Sequence, residues 1–398
     1  MAAHAMVSRY LSQPLERLAA DKFVLLSGPR QVGKTTIALA WLGAQGGGLY
    51  LNWDVPEDRE RILRRDFLTD FPPQALVLDE LHKYPKWKNW LKGLHDRRGA
   101  RIRIVVTGSA RLDIYQRGGD SLLGRQERLR LHPLTVGEVR GAASAPPGNW
   151  LTPGVAGTDA DAEWTHLERR GGFPEPWVRD DAAQHRRWTV RRRSLLVRDD
   201  IRDLTQIRQL ALVEHLALLL PERVGSPLSV NSLREDLQVG HDTVSNWLDA
   251  LDLLYYTYRI APHTNRIARA ISKERKLYLW DWSEVSDPAA RFENMVASHL
   301  LKSVHYWNDL GLGEFDLRYL RDKEKREVDF VITESRRPLA LIEAKLSDQT
   351  PSESLRYYQD RLGGIPAIQL VRTPGVNRTN AAANVRVVSA PRYLSALA

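Results

Sequence analysis

The sequence predicts an α/β protein that opens with a parallel sheet carrying helices on both faces. Three observations lead there. A glycine-bounded turn at residues 28–35 joins an apolar run at 23–26 to a helical pattern at 37–42. Short apolar runs at 49–53, 75–78 and 102–106 then alternate with helical stretches, the mark of βαβ units. A second group of such runs, at 328–332, 339–345 and 366–371, predicts a further α/β unit towards the C-terminus.

Each element has a local reason. Residues 9–20 have the periodicity of a short amphipathic helix leading into the first strand. Three glycines at 46–48 end the next helix, and Pro72 with Pro73 stops the charged helical stretch 54–71. Residues 141–161 are rich in Ala, Pro and Gly and read as a mobile insertion. Helix resumes at 162, and a basic run, Arg186, Arg187, Arg191, Arg192 and Arg193, comes after Gly171-Gly172-Phe173-Pro174-Glu175. Residues 229–237 and 241–251 read as two helices about a short glycine-containing turn, with 255–260 and 276–280 as the strands of a wing. The domains expected are 1–140 (phosphate-loop domain), 141–161 (insertion), 162–205 (helical lid or linker), 206–282 (winged helix) and 283–398 (second α/β domain).

A chain of 398 residues exceeds what one hydrophobic core usually serves. Lys and Arg number 58 against 49 acids, a net charge of +9, which favours a polyanionic partner. With no cysteine, disulfides, thiolate metal sites and thiol nucleophiles are excluded. The N-terminus lacks a secretory apolar core and no apolar run reaches membrane-spanning length, so a cytoplasmic protein with no membrane partner is expected.

The turn at 28–35 has the pattern G-x-x-x-x-G-K-T between a strand and a helix, the arrangement whose backbone N–H groups cradle phosphates. Gly28, Pro29, Arg30, Gln31, Val32, Gly33, Lys34, Thr35 and Thr36 form the expected ATP-binding set. Lys34 would reach the β- and γ-phosphates, and the Thr35 hydroxyl would ligate magnesium. Hydrolysis further needs a metal shell, an aimed water and a counter-charge. Asp79, ending the strand at 75–78, suits the magnesium shell through water, and Glu80 suits polarisation of the attacking water. Ser109, or Thr107, at the tip of the next strand is placed to sense the γ-phosphate. Arg125 is a candidate for positive charge delivered to the nucleotide of a neighbouring subunit.

Other sites lie further along. Thr243, Ser245 and Asn246 face DNA if the second helix of the helix-turn-helix reads a groove, and Arg191, Arg192 and Arg193 are candidates for phosphate contacts. A docking module and a solvated helix face are the respective alternatives. Strand alternation puts Glu343 and Lys345 on one face, and an antiparallel hairpin would bring Asp329 beside Glu343. These two carboxylates suit a hard divalent cation, Glu293 offers a third oxygen ligand, and Lys345 is placed to orient a hydroxide or neutralise a pentacovalent phosphate. A salt-bridge cluster is the alternative.

With these residues quoted, the chain resembles a family of bacterial and archaeal AAA-type ATPases fused to a C-terminal domain of unknown function with a restriction-endonuclease-like, PD-(D/E)XK-type fold. The residues that carry the resemblance are the turn at 28–35, Leu78-Asp79-Glu80, Thr107-Gly108-Ser109, Leu123-Gly124-Arg125, the stretches 133–138 and 171–175, Phe292-Glu293-Asn294, Glu327-Val328-Asp329 and Glu343-Ala344-Lys345. The long insertion between Glu138 and Gly171 departs from the family's pattern. The resemblance implies a P-loop AAA-type domain, a winged-helix segment, a nuclease-like α/β domain, oligomeric assembly and DNA binding. The expected function is a DNA-stimulated, homo-oligomeric ATPase acting on branched or forked DNA. A nucleotide-gated magnesium-dependent nuclease and an ATP-operated protein-binding switch are the alternatives.

Overall fold

In the computed structural model, unbroken apolar runs become fully buried strands. The described residues are 7–68, 74–98, 102–108, 122, 124–141, 146–147, 160–202, 207, 209–264, 274–380 and 384–397. They fall into two units, Ser8–Pro133 and the described residues from Leu134 onward, the latter including Val7.

The first unit contains α1 (Ser12–Ala19), β1 (Phe23–Ser27), α2 (Lys34–Ala44), β2 (Leu49–Asn52), α3 (Pro56–Arg64), β3 (Ala75–Asp79), α4 (Trp87–Arg98), β4 (Arg103–Thr107) and β5 (Gln126–Arg130). Its five strands are parallel in the order β2-β3-β4-β1-β5. β1 and β3 are buried at every position, as strands covered on both faces must be. β5 buries only Leu129 and forms the edge. Because β4 lies between β1 and β3, the tips of β3 and β4 adjoin the turn that follows β1.

The second unit begins with α5 (Val136–Val139), α6 (Asp161–Arg170), α7 (Pro174–Arg179), α8 (Ala182–Leu195), α9 (Leu210–Leu219), α10 (Val230–Leu237) and α11 (His241–Leu253). A two-stranded hairpin follows, β6 (Thr257–Ile260) and β7 (Lys276–Leu279). Then come α12 (Pro288–Asp309), β8 (Phe315–Arg321), β9 (Glu327–Glu334), β10 (Arg337–Lys345), α13 (Glu353–Arg361), β11 (Ala367–Val371), β12 (Asn377–Asn380), β13 (Val385–Ser389) and α14 (Ala390–Leu394). The last six strands form one sheet in the order β12-β13-β11-β10-β9-β8. β8, β9 and β10 are antiparallel and β10, β11 and β13 parallel. Helix starts are fixed locally: Asp287 accepts from Ala290 N at 2.8 Å with Pro288 in the first turn, and Ser352 accepts from Leu355 N at 3.1 Å.

The two helices α10 and α11 and the pair of strands occur as the sequence predicts, and both strands are packed inward. β7 is buried at all four positions and β6 at three of four. Asn294 brackets β7, its Oδ1 accepting from Leu279 N and its Nδ2 donating to Leu279 O, both at 2.8 Å. Tyr258 hydroxyl pairs with Ser298 Oγ at 2.9 Å.

Two of the quoted motifs serve as interlocks within this unit. Thr135 and Glu138 receive the buried Lys302 ammonium at 2.8 and 2.6 Å, while Val136 N donates to His299 Nε2 at 3.1 Å. Gly137 lies against the chain end, where an added Cβ would come within 2.1 Å of Leu397 O. Leu134 N donates to Gly172 O at 2.7 Å, and the Trp282 indole donates to Leu167 O at 2.7 Å. Of the insertion expected at 141–161, all but 141, 146, 147, 160 and 161 lies outside the described residues.

Candidate functional site

Backbone geometry fixes the turn after β1. Gly28 has φ +142°, and a Cβ there would sit 2.4 Å from Leu131 O, so the chain approaches too closely for any side chain. Gly33, at φ +99°, starts α2. The Lys34 ammonium folds back onto the turn, donating to Gly28 O at 2.9 Å and Pro29 O at 2.7 Å, with the side chain only 8% exposed. Val32 is buried and its carbonyl accepts from Arg9 Nη1 at 2.6 Å. Arg30 and Thr35 are half-buried, whereas Gln31 and Thr36 are exposed. The positive end of the α2 dipole faces the same space.

Asp79 is the hub beside this turn. Thr107 is in register with Asp79 on one side and with Leu26 on the other. Three hydroxyls converge on the Asp79 carboxylate: Thr35 Oγ1 at 2.9 Å and Tyr50 at 2.8 Å on Oδ2, and Thr107 Oγ1 on Oδ1. Burial first, and then the bond to Asp79, push the Tyr50 phenol up from its ordinary range. Thr35 and Asp79 supply adjoining hard oxygens, a donor set that fits magnesium. Glu80 follows at φ +55° with its N–H on Thr107 O at 3.1 Å. Its Oε2 lies 3.3 Å from Lys83 Nζ and 3.6 Å from His82 Nε2. Ser109 lies outside the described residues, and Thr107 is the hydroxyl seen at the strand tip.

Arg125 sits beside the start of β1, at the end of the strand away from the phosphate turn. Its carbonyl accepts from Phe23 N at 3.0 Å, and its Nε lies 3.3 Å from Asp96 Oδ1. About 13 Å of strand therefore separates it from the phosphate turn of the same chain.

The basic run of α8 divides by face. Arg186, Arg187 and Arg191 are exposed. Arg192 is 3% exposed and points inward, with its guanidinium 4.2 Å from the Phe173 ring centroid and 3.6 Å from Glu284. Arg193 Nη1 is 3.3 Å from the other oxygen of Glu284. The expectation of phosphate contacts is corrected for Arg192, whose charge is spent on a buried carboxylate, and Arg193 is half-buried on the same partner. Burial, then Asp281, pushes Glu284 up to about 7 against the pull of both arginines. On α11, Thr243 and Ser245 are half-buried, and the exposed positions are His241, Asp242, Asn246 and Asp249. Of the two carboxylates on that face, Asp249 is paired with Arg259 from β6, and Asn246 is the one candidate DNA contact of the three that is exposed.

In the C-terminal sheet the β9–β10 register, Phe330 opposite Ile342, brings Asp329 next to Glu343 as expected. Asp329 Oδ2 accepts from Ala344 N at 3.0 Å. Glu343 is bound by Lys345 Nζ at 3.1 Å on Oε1 and by Ser352 Oγ at 3.0 Å on Oε2. Sequence reasoning missed Lys276, fully buried at the start of β7, whose Nζ lies 2.6 Å from Glu327, 3.1 Å from Glu293 and 3.3 Å from Asp329. Burial alone would lower the Lys276 pKa, but Glu293, Asp329 and Glu327 together raise it and keep the ammonium charged. Glu293 is pushed up to about 7, by burial first and Asp329 second. With an ammonium already among these carboxylates, the residues do not fit a divalent metal, and among the described residues no group of three His, Asp or Glu side chains is arranged to hold one.

No helix among the described residues is long and apolar enough to cross a membrane. Residues 20–140 match a family model described as an AAA domain, residues 162–285 a domain of unknown function (DUF8612), and residues 289–393 another domain of unknown function (DUF4143). Over 383 residues the chain is 24% identical to proteins described as uncharacterised from Mycobacterium tuberculosis (strain ATCC 25618 / H37Rv) and Mycobacterium bovis (strain ATCC BAA-935 / AF2122/97), covering 94% of this chain and 81% of each relative. Among solved structures it is similar to the RuvB Holliday junction branch migration motor of Thermotoga maritima, 17% identical over 64% of this chain and 90% of that one with a TM-score of 0.33. It is also similar to AMPPCP-bound DnaA from Aquifex aeolicus, 12% identical over 61% of this chain and 85% of that one with a TM-score of 0.31. The phosphate turn and the Asp79 hub both fall inside residues 20–140, the stretch that matches the AAA domain model.

Proposed function

We propose that the chain is a magnesium-dependent ATPase that works on DNA as a homo-oligomer, with branched or forked DNA as its substrate. The observation that carries the ATPase reading is the convergence of Thr35, Tyr50 and Thr107 on Asp79 beside a phosphate turn closed by Lys34. In this reading Lys34 leaves the Gly28 and Pro29 carbonyls for the β- and γ-phosphate oxygens. Thr35 directly and Asp79 through water would hold magnesium, which would supply charge neutralisation at the phosphoryl oxygens. Glu80, freed from Lys83, polarises the attacking water, and Thr107 reports the γ-phosphate. Arg125, beside the far end of β1, reaches the nucleotide of a neighbouring subunit.

The excess of positive charge and the exposed Arg186, Arg187 and Arg191 support DNA as the partner. A second reading, an ATP-operated switch that binds protein, is favoured by the burial of strands β6 and β7. ATP turnover measured with single-stranded, duplex, forked and four-way DNA separates the two. Stimulation by at least one DNA form, lost at high salt, is expected for the first reading. Equal rates with and without every DNA form would reject it and leave the switch.

A further inference from the structure

We infer that the carboxylate cluster on the C-terminal sheet is closed by an internal cation, Lys276, and acts as a clamp between the β6–β7 hairpin and the sheet, so that this domain takes no divalent metal there. An ammonium carries three hydrogens. Three carboxylates surround this one: Glu293 from α12, and Glu327 and Asp329 from β9. Donors and acceptors thus match in number around a side chain with no exposed surface.

Further donors hold these carboxylates. Asp329 Oδ2 takes the Ala344 N–H, Glu327 Oε2 takes Arg321 Nη1 at 2.8 Å, and Glu293 Oε1, besides Lys276, takes the Tyr278 hydroxyl at 2.8 Å. Both oxygens of Glu343 are held, by Lys345 and Ser352. Gly225 closes the far side of Glu293, since a Cβ there would stand 3.2 Å from Oε2. A dication bound to these carboxylates would stand within a few ångströms of the Lys276 ammonium, and repulsion between like charges would require Lys276 to be expelled from its three partners first.

The clamp has a mechanical consequence. Asn294 pins one end of β7 at Leu279, and Lys276 pins the other end through Glu293, the adjacent residue of α12. The hairpin is thereby fixed to α12 and to β9 at once and moves with the sheet.

The test uses the full-length protein without nucleotide. Mn²⁺ binding, read by the loss of the free-ion electron paramagnetic resonance signal, is compared between wild type and Asp329→Asn. Equal binding is expected up to millimolar Mn²⁺. Wild-type binding that Asp329→Asn abolishes would overturn the inference, as would Mg²⁺- or Mn²⁺-dependent DNA cleavage lost on Glu343→Gln. Lys276→Met should lower Tm by roughly 10 °C, because three buried carboxylates lose their counter-charge. Adding Glu293→Gln and Asp329→Asn should recover most of that loss. An unchanged Tm in Lys276→Met, or no recovery in the triple variant, would contradict the clamp. Should Lys276→Met not fold, the Mn²⁺ comparison on the native cluster still decides.

Discussion

Thr35 Oγ1 donates to Asp79 Oδ2 across 2.9 Å, joining the first turn of α2 to the end of β3. This bond puts the two expected magnesium ligands in contact before any ligand arrives. Asp79→Asn keeps the shape but removes the charge, and ATP turnover should fall about 100-fold or more, the scale of losing one electrostatic element of a phosphoryl-transfer site. Steady-state phosphate release checks this. Tyr50→Phe, which removes one of three hydroxyls on the same carboxylate, should cost far less.

Arg125 is held beside the start of β1 by Asp96, remote from the phosphate turn of its own chain. Arg125→Ala should abolish turnover alone yet regain part of it when mixed with Lys34→Ala, because hybrid assemblies contain intact composite sites. Phosphate release across mixing ratios gives the answer, and a flat baseline at every ratio would place the action of Arg125 within one chain.

The two neighbours Arg191 and Arg192 should behave differently. Arg191→Ala removes an exposed charge and should weaken salt-sensitive DNA binding while leaving Tm within about 1 °C. Arg192→Ala removes one of the two guanidinium partners of the buried Glu284, leaving Arg193, and a cation over Phe173, at a cost of about 2 kcal/mol or more. Its signature is a lower Tm. Fluorescence anisotropy and thermal melts on both variants distinguish these outcomes.

His299 gives a pH prediction. It is buried and neutral, with Nδ1–H donating to Met295 O at 2.7 Å and Nε2 accepting from Val136 N. Burial, followed by the weaker repulsion from Lys302, holds its pKa down to about 3 from the ordinary 6.5, against the Met295 bond. Between those values the unfolded chain takes up a proton that the folded chain refuses. Stability is therefore lost as pH falls from 6.5 towards 3, by at most about 1.4 kcal/mol per pH unit. Glu284 and Glu293, pushed up to about 7, act with the opposite sign between their ordinary 4.5 and 7. Urea melts of wild type and His299→Gln across this range isolate the histidine: the difference between them should shrink as pH falls.

In both units the legible parts are those whose chemistry is contiguous. The turn at 28–35, Asp79 with Glu80, and the hairpin bearing Asp329 and Glu343 each lie on a single local pattern. β5 was not legible, since Gln126–Arg130 buries only Leu129 and offers no apolar run. Tyr50 reaches Asp79 across 29 residues, and Lys276 reaches Asp329 across 53, so their roles depend on pairings that no local period encodes. The arginines of α8 cover several faces of one helix. Only the position of Glu284, on a segment beyond the hairpin, decides which of them turns inward.

The central claim is that the turn at 28–35, together with Asp79, binds and splits MgATP. Its most direct measurement is phosphate release by wild type and Lys34→Ala at saturating ATP, with magnesium and then with EDTA. Turnover that needs magnesium and falls at least about 100-fold in Lys34→Ala is the result expected. Equal release by the two proteins, or none from wild type with or without DNA, would contradict it.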